Sequence, residues 1–361
     1  MKISNITKYK GKYMKSTNPF TIIFGIEPPS LIPRLNEYNT ITGVFSSETP
    51  KTYAYVITGV RGCGKTVLMT SVQKYFSKQK NWLVIRLNPD LDLYISAVNQ
   101  LRQQLSNSKD ITEFNVSIAG FGGGISLQEN NDSELELKTC LKKAKDKGKR
   151  VLIVIDEVTN TEKIRTFAHS YQTFIGEGLP AFLIMTALPE NFAKLSKSPQ
   201  SSFLRRLPKI KLGSLDMIQI ETSYSKIFKI SRDEASELSK VTCGYSYAYQ
   251  LLGDLLWESG STKISDDILN ELDGLLSDGA YSLIWEGLSE KERKISLAIA
   301  KSPTSGTREI REAIGLKPNE FAPYRERLAE SGIIDITERG KVRFTLPRFN
   351  EFVISMSRYE E

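Results

Sequence analysis

The stretch "GVRGCGKT", Gly59 to Thr66, constrains this chain more than any other feature. It follows "YAYVIT", an apolar run with the composition of a buried strand, and leads into the amphipathic pattern "VLMTSVQKYF". A glycine-rich turn between a strand and a helix lets backbone N–H groups converge on an anion at the helix N-terminus, where the helix dipole adds to the attraction. In Gly-x-x-x-x-Gly-Lys-Thr each residue type has its own task. Gly59, Gly62 and Gly64 permit the close approach of the backbone, and Val60, Arg61 and Cys63 supply intervening amides. Lys65 reaches the β- and γ-phosphates, the Thr66 hydroxyl ligates Mg²⁺, and Val67 continues the first helical turn. Cys63 reads as a small residue that fits the loop.

Such a loop needs a sheet to carry it. "YAYVIT", "WLVIRL" (82–87), "VLIVID" (151–156) and "AFLIMTA" (181–187) are short, continuously apolar and rich in β-branched or aromatic residues. Strands buried on both faces of a parallel sheet read this way, with helical patterns between them. An α/β fold of the P-loop NTPase type is the expectation: a parallel sheet flanked by helices, over residues 51–214. The third run ends in "DEV". Asp156 at a strand's carboxyl end can hold Mg²⁺ through water, and Glu157 beside it can orient or deprotonate an attacking water. The acid pair argues for hydrolysis rather than passive binding.

Composition narrows the class. The chain has 361 residues, 40% hydrophobic and 25% charged, which suits a globular protein of two or three domains. No apolar run approaches the ~18 residues of a membrane span, and "MKISNITKYKGKYMKS" lacks the apolar core of a signal peptide. A cytoplasmic protein without membrane contact is expected. Three scattered cysteines (Cys63, Cys140, Cys243) and His169 offer neither a disulfide framework nor a zinc set. Part of the net charge of +7 lies in Lys2, Lys8, Lys10, Lys12 and Lys15. These form either a basic arm for a polyanion or a solvated terminus.

Beyond the sheet the pattern changes. Residues 1–50, rich in Pro, Asn and Ser from position 16, read as an irregular arm, and "NVSIAGFGGGISLQ" (115–128) as a surface hairpin. Residues 215–286 carry only helical patterns, the mark of a small helical lid. In 287–361, "LSEKERKISLAIA", "GTREIREAIG" and "LKPNEFAPYRERLAESGII" read as three helices, and "DITERGKVRFTLP" as a hairpin. Three helices and a wing make a winged helix-turn-helix. In such a module Lys317, Asn319, Tyr324, Arg325 and Arg327 face duplex DNA from the third helix, and Arg339, Lys341 and Arg343 from the wing. Residues 288–361 hold 14 Lys/Arg against 12 Asp/Glu, a balance of only +2. A protein partner therefore stays open beside DNA.

These residues together resemble the AAA+ ATPases of the origin-recognition-like branch and similar bacterial proteins, over nearly the whole chain. The resemblance implies ATP as the nucleotide. Asn18, Phe20, Gly25, Pro28, Pro29 and Arg34 look like the arm that lies near the adenine in such proteins. Thr186, at the end of "FLIMT", stands where the family senses the γ-phosphate. "SSFLRRLPKI" resembles the segment carrying an arginine finger, with Arg205 and Arg206 as finger residues of a homo-oligomer or as a solvent-facing basic pair. The lid sequence "CGYSYAYQLLG" brings Tyr245 and Gln250 but no sensor arginine. Similar lids occur in STAND-type signalling ATPases, and the resemblance implies slow hydrolysis. Three functions follow: an ATP-dependent switch on DNA, a signalling switch whose winged helix makes protein contacts, or, behind these, an ATP-dependent remodeller of protein partners.

Overall fold

The computed structural model describes residues 17–23, 27–106, 128–198 and 202–360. The lysines of positions 1–15, Gly25 and nearly all of the 115–128 stretch lie outside the described residues. The chain divides into two compact units.

The first unit, residues 35–58 and 65–211, is the α/β sheet. In chain order it holds α1 (Leu35–Ser46), β1 (Ala54–Thr58), α2 (Lys65–Ser77), β2 (Trp82–Leu87), α3 (Leu93–Leu105), α4 (Gln128–Asp146), β3 (Arg150–Ile155), α5 (Glu162–Gly176), β4 (Ala181–Ala187), α6 (Pro189–Lys197), α7 (Ser202–Arg205) and β5 (Lys209–Lys211). The five strands run parallel in the order β2-β3-β4-β1-β5. Every residue of β1 and β4 is buried. Covered on both faces, these strands need no polar alternation, which is why they read as unbroken apolar runs. Asp92 caps α3 by accepting from the Ile95 amide at 2.9 Å, and Thr161 caps α5 from Ile164. Caps of this kind contribute about 1 kcal/mol each.

Helix α1 replaces the irregular chain expected up to residue 50. "LNEYNTITGVFS" is poor in strong helix formers, yet Ile41 and Phe45 are fully buried. The Phe45 ring packs against Tyr55, Phe76 and Phe182. Tertiary burial decides here, not propensity.

The second unit comprises residues 59–64 and 212–360 together with the described part of the arm before Leu35. Its helices are α8 (Met217–Phe228), α9 (Arg232–Thr242), α10 (Ser246–Ser259), α11 (Asp266–Leu276), a π-helical turn (Ser277–Tyr281) and α12 (Ser282–Gly287). There follow α13 (Glu290–Lys301), α14 (Thr307–Ala313), α15 (Pro318–Glu330), the antiparallel pair β6 (Ile334–Asp335) and β7 (Arg343–Phe344), and α16 (Phe349–Glu360). One core runs through all of them. Phe20 of the arm stacks on Phe228 and meets Tyr249 edge-on, and Tyr281 packs against Phe349 and Phe352. The arm is pinned to α10: Asn18 donates to Asp254 and Glu258, and Gln250 accepts from the Thr21 amide. Helices α8–α12 and residues 287–360 thus share an interior, with α16 closing it.

Candidate functional site

In the sheet unit, four residues converge at the carboxyl ends of neighbouring strands. Register pairs Ile155 of β3 with Met185 of β4, so Asp156 and Thr186 follow side by side. The Thr186 hydroxyl, fully buried, donates to the Asp156 carboxylate and accepts from the Glu157 amide at 2.9 Å. The Val158 amide donates to the Thr186 carbonyl at 2.8 Å. Glu157 is held at φ 52°, the left-handed region that costs a non-glycine residue energy and persists only where the surroundings fix it. The hydrogen bonds on either side do so, leaving the Glu157 side chain exposed. From the first turn of α2, the Thr66 hydroxyl donates to Asp156 at 3.2 Å. A hydroxyl and a carboxylate oxygen brought together by elements far apart in sequence form a donor set suited to Mg²⁺.

Arg86, on β2, also reaches Asp156, with its guanidinium 2.9 Å from the second carboxylate oxygen. Sequence reasoning missed it. The signal was one cation in the otherwise apolar "WLVIRL", but only the strand order sets β2 beside β3.

In the other unit, residues 59–64 are gripped through their carbonyl groups. The Tyr245 hydroxyl donates to the Arg61 carbonyl at 2.6 Å, and the Ser246 hydroxyl to the Cys63 carbonyl at 3.2 Å. Arg34 donates to the Cys63 and Gly213 carbonyls at 2.9 and 2.7 Å. Its guanidinium also donates to the Ser246 hydroxyl at 3.4 Å. Gly62 has φ 76°, and a Cβ there would lie 2.2 Å from the Tyr245 hydroxyl, so only glycine fits. Burial pushes the Tyr245 phenol well above its ordinary 10, and the hydroxyl remains a donor.

The candidate finger arginines differ from one another. Arg205 donates to the Ser196 and Lys197 carbonyls at the end of α6, at 2.8 and 3.1 Å. Arg206 is exposed and has no side-chain partner among the described residues. In residues 287–360, Arg327 pairs with Glu292 and lies 4.5 Å from the Tyr324 ring centroid. Arg343 pairs with Glu338, and Lys341 donates to the Thr304 carbonyl. Among the described residues no His, Cys, Asp and Glu cluster forms a further metal set, and no helix is long and apolar enough to cross a membrane.

Residues 31–175 match the model of a family described as an ATPase domain predominantly from Archaea. The chain's fold is similar to that of a Walker-type ATPase of Pyrococcus abyssi, at 13% identity over 90% of this chain and 96% of that one, with a TM-score of 0.61. It is similar also to the Aeropyrum pernix ORC2 protein, solved in ADPNP and ADP complexes, at 15% identity over 98% and 99% with a TM-score of 0.57. This is the fold of an origin-recognition-like AAA+ ATPase. Residues 278–353 match a family described only as a domain of unknown function. No curated protein matches the sequence.

Proposed function

We propose that the protein is a nucleotide-dependent switch that binds ATP with Mg²⁺ and hydrolyses it slowly. The observation that carries this reading is the meeting of Thr66, Thr186 and Glu157 around Asp156, directly after the loop sequence in the case of Thr66. Thr66 and Asp156 would hold the metal ion, which neutralises charge on the phosphates. Lys65 and the amides of Gly59–Gly64 bind the phosphates. Glu157 takes the proton of the attacking water. Thr186 fixes the acid pair from beneath, consistent with its buried hydroxyl being shared between Asp156 and the Glu157 amide. Fluorescent-nucleotide titration of the intact protein, with turnover measured on Glu157→Gln, tests the reading. Tight binding with lost turnover is expected in the variant; a wild-type protein that binds no nucleotide would overturn it.

As for the partner, α13, α14 and α15 with the β6–β7 ribbon support a winged helix-turn-helix, and exposed Lys317, Asn319 and Arg339 support duplex DNA. A second reading, the signalling switch with protein contacts, is favoured by the internal engagement of Arg327, Lys341 and Arg343. Anisotropy titration with duplex DNA at 50 mM salt, with and without ATP, separates them. Each phosphate contact steepens log K against log salt by roughly 0.9; no measurable affinity in either state removes DNA. If subunits meet at the nucleotide, Arg206 supplies the finger, because Arg205 is spent on the end of α6.

A further inference from the structure

We propose that Tyr245 is a positioning residue for the phosphate loop, and that residues 278–353 hold it in place through Tyr281. The inference deepens the nucleotide-binding reading and rests on it. In a planar trans peptide the C=O of one residue and the N–H of the next point in opposite directions. By fixing the Arg61 carbonyl on one side, the Tyr245 hydroxyl turns the Gly62 amide to the other. Ser246 and Arg34, by holding the Cys63 carbonyl, do the same for the Gly64 amide. These are loop amides of the kind that bind phosphate oxygens. The tyrosine therefore acts on a phosphate without touching it.

What holds Tyr245 is the second half of the inference. Its ring stacks on Tyr281, with centroids 6.3 Å apart and planes 24° from parallel. Tyr281 ends the π-helical turn and donates its hydroxyl to the Pro347 carbonyl at 2.6 Å. Phe349 meets the Tyr281 ring edge-on at 4.9 Å. Between those two contacts Arg348 is tied to Asp273 by an ion pair. The same segment also approaches the loop directly, since a Cβ on Gly332 would lie 3.8 Å from the Val60 side chain. All these residues belong to one compact unit, and Val60, Tyr245, Tyr281 and Phe349 share one core. A π-turn inserted between two α-helices is rare and frequent at functional sites, and this one ends in the Tyr281 that stacks on Tyr245.

Tyr245→Phe keeps the ring and the stack and removes only the donor. Affinities for mant-ADP and mant-AMP, measured on the full chain, report on the loop, because only the diphosphate places a β-phosphate within it. The expected result is a loss of about three- to tenfold for mant-ADP with little change for mant-AMP, the size of one hydrogen bond. Tyr281→Phe, which frees the Pro347 carbonyl, should give a smaller loss with the same preference. If Tyr245→Phe does not fold, Ser246→Ala removes the parallel donor to Cys63 and should show the same selective loss. Unchanged mant-ADP affinity in the folded variants, or equal losses for both nucleotides, overturns the positioning role. A wild-type chain that binds neither nucleotide sinks the nucleotide reading itself, and the two failures are thus distinct.

Discussion

The glycine-rich loop and the acid pair are held by different means. Residues 59–64 are fixed by donors acting on backbone carbonyls, from Tyr245, Ser246 and Arg34. Asp156 is fixed by side chains meeting on its carboxylate, from Thr66, Thr186 and Arg86, and Glu157 through its amide on the Thr186 hydroxyl. The first arrangement acts on neutral carbonyl groups. The second depends on charge, and its balance changes when a divalent cation enters. Loop substitutions should therefore act on nucleotide affinity, and acid-pair substitutions on turnover and metal dependence.

The largest effect should come from Glu157→Gln. Loss of the base should lower turnover by roughly 10²–10⁴-fold with nucleotide affinity kept; normal hydrolysis in this variant would break the division of labour. Next comes Lys65→Ala, which should weaken mant-ADP binding by roughly a hundredfold or more, as loss of a cation from a desolvated anion does. An intermediate effect is expected for Thr186→Val, which conserves shape but removes the hydroxyl shared by Asp156 and the Glu157 amide. Turnover should fall about tenfold, the worth of a hydrogen bond to a charged group, with little change in affinity. A larger effect on affinity than on turnover would assign Thr186 to the phosphates instead.

The smallest effect sharpens the contrast. Arg86 is exposed over much of its length, and its pair with Asp156 is correspondingly weak. Arg86→Ala removes a competitor for the carboxylate, so the Mg²⁺ concentration at half-maximal nucleotide binding should fall by about two- to fivefold. No comparable Mg²⁺ shift should follow Tyr245→Phe. If both variants shift it equally, the two regions do not act separately.

Much of the fold is legible in the sequence, and the reasons are local. "YAYVIT", "VLIVID" and "AFLIMTA" announce buried parallel strands because a strand covered on both faces has no solvent side to mark. Pro318 at the first turn of α15 and Gly332 beyond its end mark that helix by the usual asymmetry. Helix α16 was also within reach: Phe349, Phe352, Val353 and Met356 recur at helical spacing and face the core. Helix α1 was not, since Asn, Thr and Gly hide a helix that only the burial of Ile41 and Phe45 makes stable.

By itself the sequence marked the candidate residues for a phosphate and a metal ion, because a glycine loop, a lysine, a threonine and a strand-end acid carry that chemistry in their types and spacing. It could not set Arg86 beside Asp156, for strand order depends on how the crossovers pack and not on any single strand. Nor could it separate Arg205 from Arg206, adjacent and identical in type until one of them folds onto the end of α6. It could not bring Tyr245 to the Arg61 carbonyl, 184 residues away, or Tyr281 behind it, since both depend on how the helices around a shared core pack. Local chemistry is written in residue type. Which distant groups press on it is decided only when hydrophobic burial chooses one packing of the helices.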